Sequence, residues 1–166
     1  MRLFIAIHFS TEIKNVLLSA IEELKAKSVS GNFTSPENLH LTLAFIGESD
    51  RVSTICAAID RCAVPAFDMA VSGAGRFGSI YWVGIENNPK LKALAESLQA
   101  ELRKNGFEIE NREFKPHITL ARKVEASSPV SLNVKRTAMT VSRISLMKSE
   151  RIGGKLTYTE VYGREL

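Results

Sequence analysis

The sequence predicts an α+β fold made of two related halves. Strand and helix patterns are mixed along its 166 residues, and several predicted strands follow one another directly, which favours α+β over a strictly alternating parallel fold. The order strand, helix, loop, strand occurs twice, with offsets of 37 positions from Leu3 to His40 and 36 from Tyr81 to His117. Both second strands open with nearly the same four residues. We therefore predict a single domain over residues 1–166, built from two related lobes that each contribute one of these tetrads.

In the first half, the wholly apolar run Leu3–Ile7 predicts a strand that is buried on both faces. Ser10 or Thr11 can cap the helix that follows, because a hydroxyl oxygen accepts a hydrogen bond from the free amides of the first turn. Apolar residues at helical spacing give this helix one buried face: Ile13, Val16, Leu17, Ala20, Ile21 and Leu24. A loop then leads to a second predicted strand over Leu39–Ile46.

The middle of the chain predicts a second helix and a pair of strands. Ser49 or Asp50 can cap this helix. Its inner face is predicted to consist of four residues: Val52, Ile55, Cys56 and Ile59. The segments Phe67–Val71 and Ile80–Ile85 have the composition of strands, and the glycine-rich stretch Gly73–Gly78 predicts the turn between them.

A third helix and three further strands are predicted in the second half. Asn88 can cap the helix, Pro89 suits its first turn, and Gly106 can end it. Its buried face is predicted to consist of Leu91, Leu94, Ala95 and Leu98. The predicted strands are His117–Arg122, Thr140–Met147 and Leu156–Tyr162.

Composition and charge narrow the class of protein. The chain is 45% hydrophobic and 24% charged, which is typical of a folded domain. Its net charge of +4 permits an anionic ligand but is weaker than that of a dedicated nucleic-acid-binding domain. No apolar stretch approaches the ~20 residues that a membrane-spanning helix needs. Cys56 and Cys62 lie in one predicted helix and indicate reduced, buried thiols, so we expect a cytoplasmic protein.

Two of the three histidines begin the repeated tetrads. These are His40-Leu41-Thr42-Leu43 and His117-Ile118-Thr119-Leu120. Side chains two positions apart on a strand point to the same face, so each tetrad presents an imidazole and a hydroxyl together while its apolar residues face the core. If two similar halves face each other, both histidine–threonine pairs meet in one cleft.

Such a cleft suits acid–base chemistry on a phosphodiester. Two imidazoles with ordinary pKa values near ~6.5 can hold opposite protonation states near neutral pH. One can then take a proton from water while the other gives a proton to the leaving oxygen. The threonine hydroxyls can donate hydrogen bonds to the anionic phosphate oxygens.

Other uses of histidine are less favoured. A lone histidine in a strand is more often a core or edge residue than a catalyst, and we interpret His8 in this way. A zinc site normally needs three or four ligands, and the chain has no His-Glu-x-x-His, Cys-x-x-Cys or dense acidic cluster. The glycine-rich stretch has neither P-loop nor dinucleotide-binding spacing. We therefore expect chemistry without a metal or cofactor.

The second tetrad lies among basic residues, of which Arg122 is at the far end of the same predicted strand. Its guanidinium can pair with a phosphate, although a solvated strand end is an equally good interpretation from the residues alone. Four aromatic residues are possible base-stacking platforms: Phe9, Phe33, Phe45 and Trp82. Arg76 and Phe77 in the glycine-rich stretch could contact a nucleotide. From the residues alone, a core or turn-anchoring role is favoured for such aromatics.

The paired tetrads together with three segments resemble the 2H phosphoesterase superfamily. The segments are Arg2-Leu3-Phe4-Ile5-Ala6-Ile7, Asn38-Leu39-His40-Leu41-Thr42-Leu43 and Lys115-Pro116-His117-Ile118-Thr119-Leu120-Ala121-Arg122. Within the superfamily, the chain is most similar to the bacterial and archaeal RNA 2′,3′-cyclic phosphodiesterases, also called 2′-5′ RNA ligases. The resemblance implies a bilobal fold whose lobes are related by a pseudo-twofold axis. Antiparallel sheets then line a central cleft, with the helices outside.

The same resemblance implies metal-independent hydrolysis of an RNA-terminal 2′,3′-cyclic phosphate to a 2′-phosphomonoester. Position by position, His40 would be the proton donor and His117 the proton acceptor. Thr42, Thr119 and Arg122 would hold the phosphate. The implied partners are RNA 3′ ends or small nucleotides with a cyclic phosphate, bound by a monomer, with no membrane partner.

Two alternatives remain open at this point. The same chemistry could act on a small cyclic nucleotide or a 2′,5′-linked oligonucleotide instead of RNA. A protein of another class, a nucleotide- or RNA-binding module without useful turnover, would keep the same cleft. Reversible 2′-5′ RNA ligation is a secondary possibility, because it is uphill without an activated end.

Overall fold

The structure is a computed structural model that describes residues 1–166. It contains nine strands, three α-helices and one short 3₁₀ turn. In chain order these are β1 Arg2–Ile7, α1 Thr11–Lys27, β2 Ser30–Phe33, the 3₁₀ turn Pro36–Asn38, β3 Leu41–Glu48, α2 Val52–Cys62, β4 Phe67–Phe77, β5 Ile80–Ile85, α3 Pro89–Lys104, β6 His117–Glu125, β7 Thr137–Val141, β8 Arg143–Ile152 and β9 Lys155–Glu165.

The strands form two antiparallel sheets, and this confirms the predicted α+β class. The first sheet has four strands in the order β3-β1-β8-β9, and the second has five in the order β2-β6-β5-β4-β7. Helix α1 packs against β6 and β7 of the second sheet, whereas α3 packs against α2 and against β3 of the first. No helix is long and apolar enough to cross a membrane.

Each sheet has one face in the main core and one face turned away from it. In β1, Leu3, Ile5 and Ile7 belong to the main cluster of 34 buried residues. Phe4 and Ala6 alternate with them and form a separate small cluster with Met147. We call this second side the open face of the first sheet. All five residues from Leu3 to Ile7 are buried, so the prediction of a strand covered on both faces is confirmed.

Two of the three helix starts follow the predicted capping. The Ser10 Oγ accepts from the Ile13 amide at 3.3 Å, and the Asn88 side-chain oxygen accepts from the Leu91 amide at 3.1 Å. Gly106 follows α3 with a φ of +89°, a conformation that favours glycine and ends a helix. The prediction for α2 is wrong, because the residue at its N-cap is Arg51. Ser49 caps no helix amide and instead accepts from the Arg51 amide.

Several strand limits differ from prediction because pairing, not composition, decides them. β3 starts at Leu41, so His40 lies just before the strand. The stretch Gly73–Gly78 is mostly strand, since β4 pairs with β5 as far as Phe77 opposite Ile80. The predicted strand Thr140–Met147 is broken at Ser142, where the chain leaves the second sheet and enters the first.

Two smaller features were also missed. β2 lies in the predicted loop and pairs with β6, at the edge of the second sheet. Both cysteines are free, but only Cys62 is buried, and Cys56 is partly exposed. The prediction of two buried thiols is therefore wrong for Cys56, whose α2 position lies nearer the helix surface.

A β-bulge occurs at the same place in β3 and β6. Thr42 lies opposite Ala6 and Ala44 lies opposite the preceding residue, Ile5, so Leu43 and Ala44 share one position of the ladder. In β6, Leu120 and Ala121 form the corresponding bulge. All four bulge residues are buried, so the next residue returns to the face of the threonine. The matched bulges support the prediction of two related lobes, which stays a prediction.

Candidate active site

The first histidine–threonine pair is held by two hydrogen bonds at the start of β3. The Nδ1 atom of His40 lies 2.7 Å from the carbonyl oxygen of Asn38. A carbonyl oxygen only accepts, so Nδ1 carries the proton. The Nε2 atom lies 2.9 Å from the Thr42 Oγ1 and, in the neutral ring, accepts from that hydroxyl. Nε2 is therefore the nitrogen that can exchange a proton with a bound substrate.

The second histidine is oriented in the same way. The Nδ1 atom of His117 donates to the carbonyl oxygen of Lys115 at 2.7 Å, again two residues earlier in the chain. Thr119 lies in β6 opposite Trp82, on the face turned away from the main core. Both imidazoles thus use Nδ1 for a backbone contact and leave Nε2 for chemistry.

An aromatic pair surrounds His40 on the open face of the first sheet. The ring centroids of Phe4 and Tyr158 lie 4.9 Å and 5.2 Å from that of His40, with Tyr158 edge-on. The two aromatic rings also contact each other at 5.0 Å. These three contacts fix the plane of the imidazole and reduce its access to water.

A second aromatic pair lies beside His117. Phe77 meets the imidazole edge-on at 5.4 Å, and Trp82 lies 6.2 Å away. The Trp82 ring crosses over Gly75, where an added Cβ would lie 2.5 Å from ring atoms. Glycine is therefore required at this position for the indole to reach its place beside His117.

The bulge in β6 directs Arg122 to the face of Thr119. Without the extra residue, strand alternation would place Arg122 on the core side with Leu120. Arg122 is exposed. Burial raises the pKa of the Tyr158 hydroxyl, and the positive charges of Arg122 and Arg2 act in the opposite direction and lower it. Tyr158 contacts the His40 ring. The charge of Arg122, on the strand of the second tetrad, therefore acts on a direct neighbour of the first tetrad's histidine.

The surroundings of His40 favour its neutral form in the free protein. Burial lowers the pKa of His40 from its ordinary value of 6.5, the hydrogen bond to Asn38 opposes this effect, and the nearby His8 adds to it.

Burial also lowers the pKa of His8, whose Nε2 lies 3.3 Å from the Met147 sulfur. His8 contacts the Phe4 cluster and not a tetrad, in keeping with its interpretation as a structural residue.

A hydrogen bond joins His40 to Thr42, and His117, Thr119 and Arg122 lie along β6; the roles of these five residues stay predictions. The structure also adds residues that sequence reasoning missed. Phe4, Asn38 and Tyr158 were not singled out, and Phe77 and Trp82 were interpreted mainly as turn and core residues. Phe4 alternates with the core residues Leu3 and Ile5 of β1, which was the available signal for it, whereas β9 has no buried residue that could have pointed to Tyr158. No group of three or more histidine, cysteine or acidic side chains is placed to bind a metal ion.

Two antiparallel sheets, each with a strand that carries a histidine–threonine pair at or just before its start, have the architecture expected for a phosphoesterase of the two-histidine class. The crystal structure of Escherichia coli LigT complexed with 3′-AMP has the same fold, with a TM-score of 0.85 and 29% identity, covering 99% of this chain and 97% of that one. Residues 13–153 match the family model of the 2′-5′ RNA ligase superfamily. The chain belongs to that superfamily.

Curated relatives carry one shared name. The RNA 2′,3′-cyclic phosphodiesterase of Thermotoga maritima is 38% identical over 131 residues, which cover 74% of this chain and 70% of that protein. The RNA 2′,3′-cyclic phosphodiesterase of Methanothermobacter thermautotrophicus is 29% identical over 178 aligned positions, covering 96% of each chain. The resemblance inferred from the tetrads is therefore confirmed at the level of the family.

Proposed function

We propose that this protein hydrolyses the 2′,3′-cyclic phosphate at the end of an RNA to a 2′-phosphomonoester. The observation that carries the proposal is the matched pair of imidazoles, each with Nδ1 bound to the carbonyl oxygen two residues earlier and each followed by a threonine on its own face. The names of the curated relatives support the same reaction.

In this mechanism, the two histidines act on opposite sides of the phosphorus atom. Water attacks the phosphorus in line with the 3′ oxygen, and the Nε2 of His117 takes the proton of that water. The bond from phosphorus to the 3′ oxygen breaks as the Nε2 of His40 gives that oxygen a proton. Each turnover therefore moves one proton onto His117 and one proton off His40, and exchange with water restores both.

The phosphate is proposed to lie between hydroxyl and guanidinium donors. Thr42 and Thr119 donate to its non-bridging oxygens, and Arg122 provides two parallel donors and a positive charge. These donors act more strongly on the transition state, where negative charge on the oxygens increases.

Substrate binding also favours the uptake of a proton from water by His40. Burial lowers the pKa of His40, so the free ring is mostly neutral at neutral pH. An anionic phosphate beside Nε2 favours the imidazolium and raises that pKa in the complex. The proposed proton donor is therefore charged by its own substrate.

We further propose that a monomer in the cytoplasm carries out this reaction on RNA 3′ ends, without a metal or cofactor. Reversible 2′-5′ ligation would use the same groups with donor and acceptor exchanged, because a reaction and its reverse pass through the same transition state.

The test is incubation of the protein in EDTA with a short RNA that ends in a 2′,3′-cyclic phosphate. We expect a 2′-phosphomonoester, identified by ³¹P NMR and by comparison with synthetic 2′- and 3′-phosphate standards. A 3′-phosphate product would contradict the assignment of the leaving oxygen. No turnover in EDTA but turnover with added Mg²⁺, Mn²⁺ or Zn²⁺ would contradict the metal-free mechanism, and no turnover in either condition would contradict the proposed activity.

The alternative of a small-nucleotide substrate is favoured by one observation. LigT of Escherichia coli, which has the same fold, binds the mononucleotide 3′-AMP in a crystal. A mononucleotide 2′,3′-cyclic phosphate therefore belongs in the same assay, where equal efficiency on both substrates would favour the small nucleotide.

A further inference from the structure

An exposed aromatic ring and an arginine lie together beside the His40 half of the site and take no part in the chemistry above. Phe45 is 50% exposed, and the guanidinium carbon of Arg2 lies 5.1 Å from the centre of its ring. Arg2 is in β1 and Phe45 is in β3, the same two neighbouring strands that carry Phe4 and Thr42.

Strand register places this pair on the same face as the site. The bulge at Leu43 and Ala44 returns Phe45 to the side of Thr42, and Phe45 lies directly opposite Phe4. Phe4 in turn contacts His40 at 4.9 Å. Arg2 alternates with the buried Leu3 and therefore shares the face of Phe4.

The charge of Arg2 also acts on a residue of the site. The positive charge of Arg2 acts on the Tyr158 hydroxyl, as does that of Arg122 from the second sheet. Phe45 is three residues beyond Thr42, just as Arg122 is three residues beyond Thr119. The bulge in β6 thus directs the Arg122 cation toward the proposed phosphate position, and the bulge in β3 directs the exposed Phe45 ring outward.

The proposed chemistry indicates which half of the site faces the nucleoside. In-line attack requires the water and the departing 3′ oxygen to lie on opposite sides of the phosphorus. The 3′ oxygen belongs to the ribose and receives its proton from His40, so the ribose lies on the His40 side. The chain that extends upstream from this ribose then runs along the open face of the first sheet.

We propose that Phe45 and Arg2 form a subsite for the nucleotide immediately upstream of the one that carries the cyclic phosphate. This subsite rests on the proposed function. The terminal nucleoside lies beside Tyr158, the upstream base stacks on Phe45, and Arg2 pairs with the phosphodiester that joins the two nucleotides. Because of the bulge, Thr42 and Phe45 lie opposite Ala6 and Phe4, two strand steps apart; at about 3.3 Å per step this is roughly 7 Å, which suits one nucleotide step from the reacting phosphate. The subsite selects RNA ends over mononucleotides.

The test compares kcat/KM for a dinucleotide and a mononucleotide, each ending in a 2′,3′-cyclic phosphate. We expect the wild-type protein to prefer the dinucleotide by about tenfold or more, given the usual contribution of a base stacked on an aromatic ring. Phe45→Leu and Arg2→Gln should each lower kcat/KM for the dinucleotide severalfold and leave the mononucleotide within about twofold of wild type. Phe45→Trp should retain the preference, because tryptophan keeps the stacking surface.

A matched control lies elsewhere on the molecule. Arg51 lies over the Phe107 ring at 4.5 Å, before α2 and away from the tetrads. Arg51→Gln removes the same kind of arginine–aromatic contact and should change neither substrate's kcat/KM.

Three results would overturn the subsite: an unchanged preference in Phe45→Leu, an equal loss on both substrates, or loss of the preference in Phe77→Leu alone. The proposed function fails separately, if the wild-type protein hydrolyses neither substrate. Turnover of both substrates without a dinucleotide preference overturns the subsite and leaves the proposed reaction standing, with the small nucleotide favoured as its substrate.

Discussion

The side-chain amide of Asn38 donates a hydrogen bond to the carbonyl oxygen of Leu156, 3.1 Å away on β9. The backbone carbonyl of the same asparagine accepts from the Nδ1 of His40 at 2.7 Å. One buried residue therefore connects β9 to the histidine of the first tetrad. Asn38 acts as a positioning residue, because it orients the imidazole without contacting the substrate.

Asn38→Ala keeps the backbone carbonyl that binds His40 but removes the side-chain hydrogen bond that fixes this carbonyl to β9. We expect kcat to fall by about tenfold with little change in KM, because the imidazole is held less firmly while the phosphate donors remain. We expect a loss of folding stability of about 1–2 kcal/mol from the buried hydrogen bond. Steady-state kinetics and urea unfolding measure the two effects. Glu37→Gln is the matched control, since it removes the exposed ion pair of Glu37 with Lys155, at 2.8 Å, between the same two segments. A control variant as slow as Asn38→Ala would contradict the positioning role.

Removing either tetrad histidine should abolish most of the activity and keep binding. His40→Ala and His117→Ala are each expected to lower kcat by at least ~10²-fold, because each removes a proton-transfer group. Isothermal titration with the 2′-phosphomonoester product should show affinity within a few-fold of wild type. His8→Asn is the control, and we expect it to stay within about threefold of wild type. A near wild-type rate for either tetrad variant would contradict the proton-transfer role of that histidine, whereas binding without turnover by the wild-type protein would point to the binding-module alternative.

The pH dependence should separate the proton donor from the acceptor. Burial lowers the pKa of His40 below 6.5. The reacting complex needs a protonated His40, and kcat/KM follows the ionisation of the free protein, so kcat/KM should fall as pH rises through this lowered value. The bound phosphate raises the same pKa, so kcat should fall only at higher pH. A kcat/KM that instead rises with pH through that range would assign His40 as the acceptor and exchange the two roles.

The same lowered pKa values affect stability. His8 and His40 are both shifted downward by burial, so the unfolded chain binds more protons than the folded protein between the lowered values and about 6.5. The stability that these two histidines contribute is complete above their pKa in the unfolded chain, and it decreases as the pH falls through their lowered pKa values in the folded protein. We expect Tm to decrease as pH is taken from 7 to 5, and the slope to be shallower in His8→Asn. An identical slope in that variant would contradict a contribution from His8.

Arg122 should contribute through its planar guanidinium and not through charge alone. Arg122→Lys keeps the charge but loses the two parallel donors, and we expect a loss of about tenfold in kcat/KM. Lys123→Gln removes the neighbouring exposed charge, at a position whose φ of +53° interrupts strand alternation, and should have little effect. Equal losses in both variants would show that Arg122 provides only a general positive potential.

Much of the local structure followed from local residue patterns. The buried strand Leu3–Ile7, the caps at Ser10 and Asn88 and the stop at Gly106 depend on neighbours within a few positions of the chain. The tetrads were visible for the same reason, because a spacing of two residues has a fixed meaning in any strand. Strand ends were less predictable. The alternating pattern from Thr140 to Met147 shows no break at Ser142, yet the chain changes sheets there.

The sequence by itself determined the fold class, the family and the two histidine–threonine pairs, because these depend on residue type and short spacing. Only the tertiary structure decided what surrounds those pairs. Phe4 and Tyr158 come together at His40 because β1, β8 and β9 are neighbours in one sheet, although Phe4 and Tyr158 are far apart in the chain. The bulges that direct Phe45 and Arg122 depend on pairing with β1 and β5. Contacts between distant segments depend on the free energy of the whole chain, and no short window of residues contains that information.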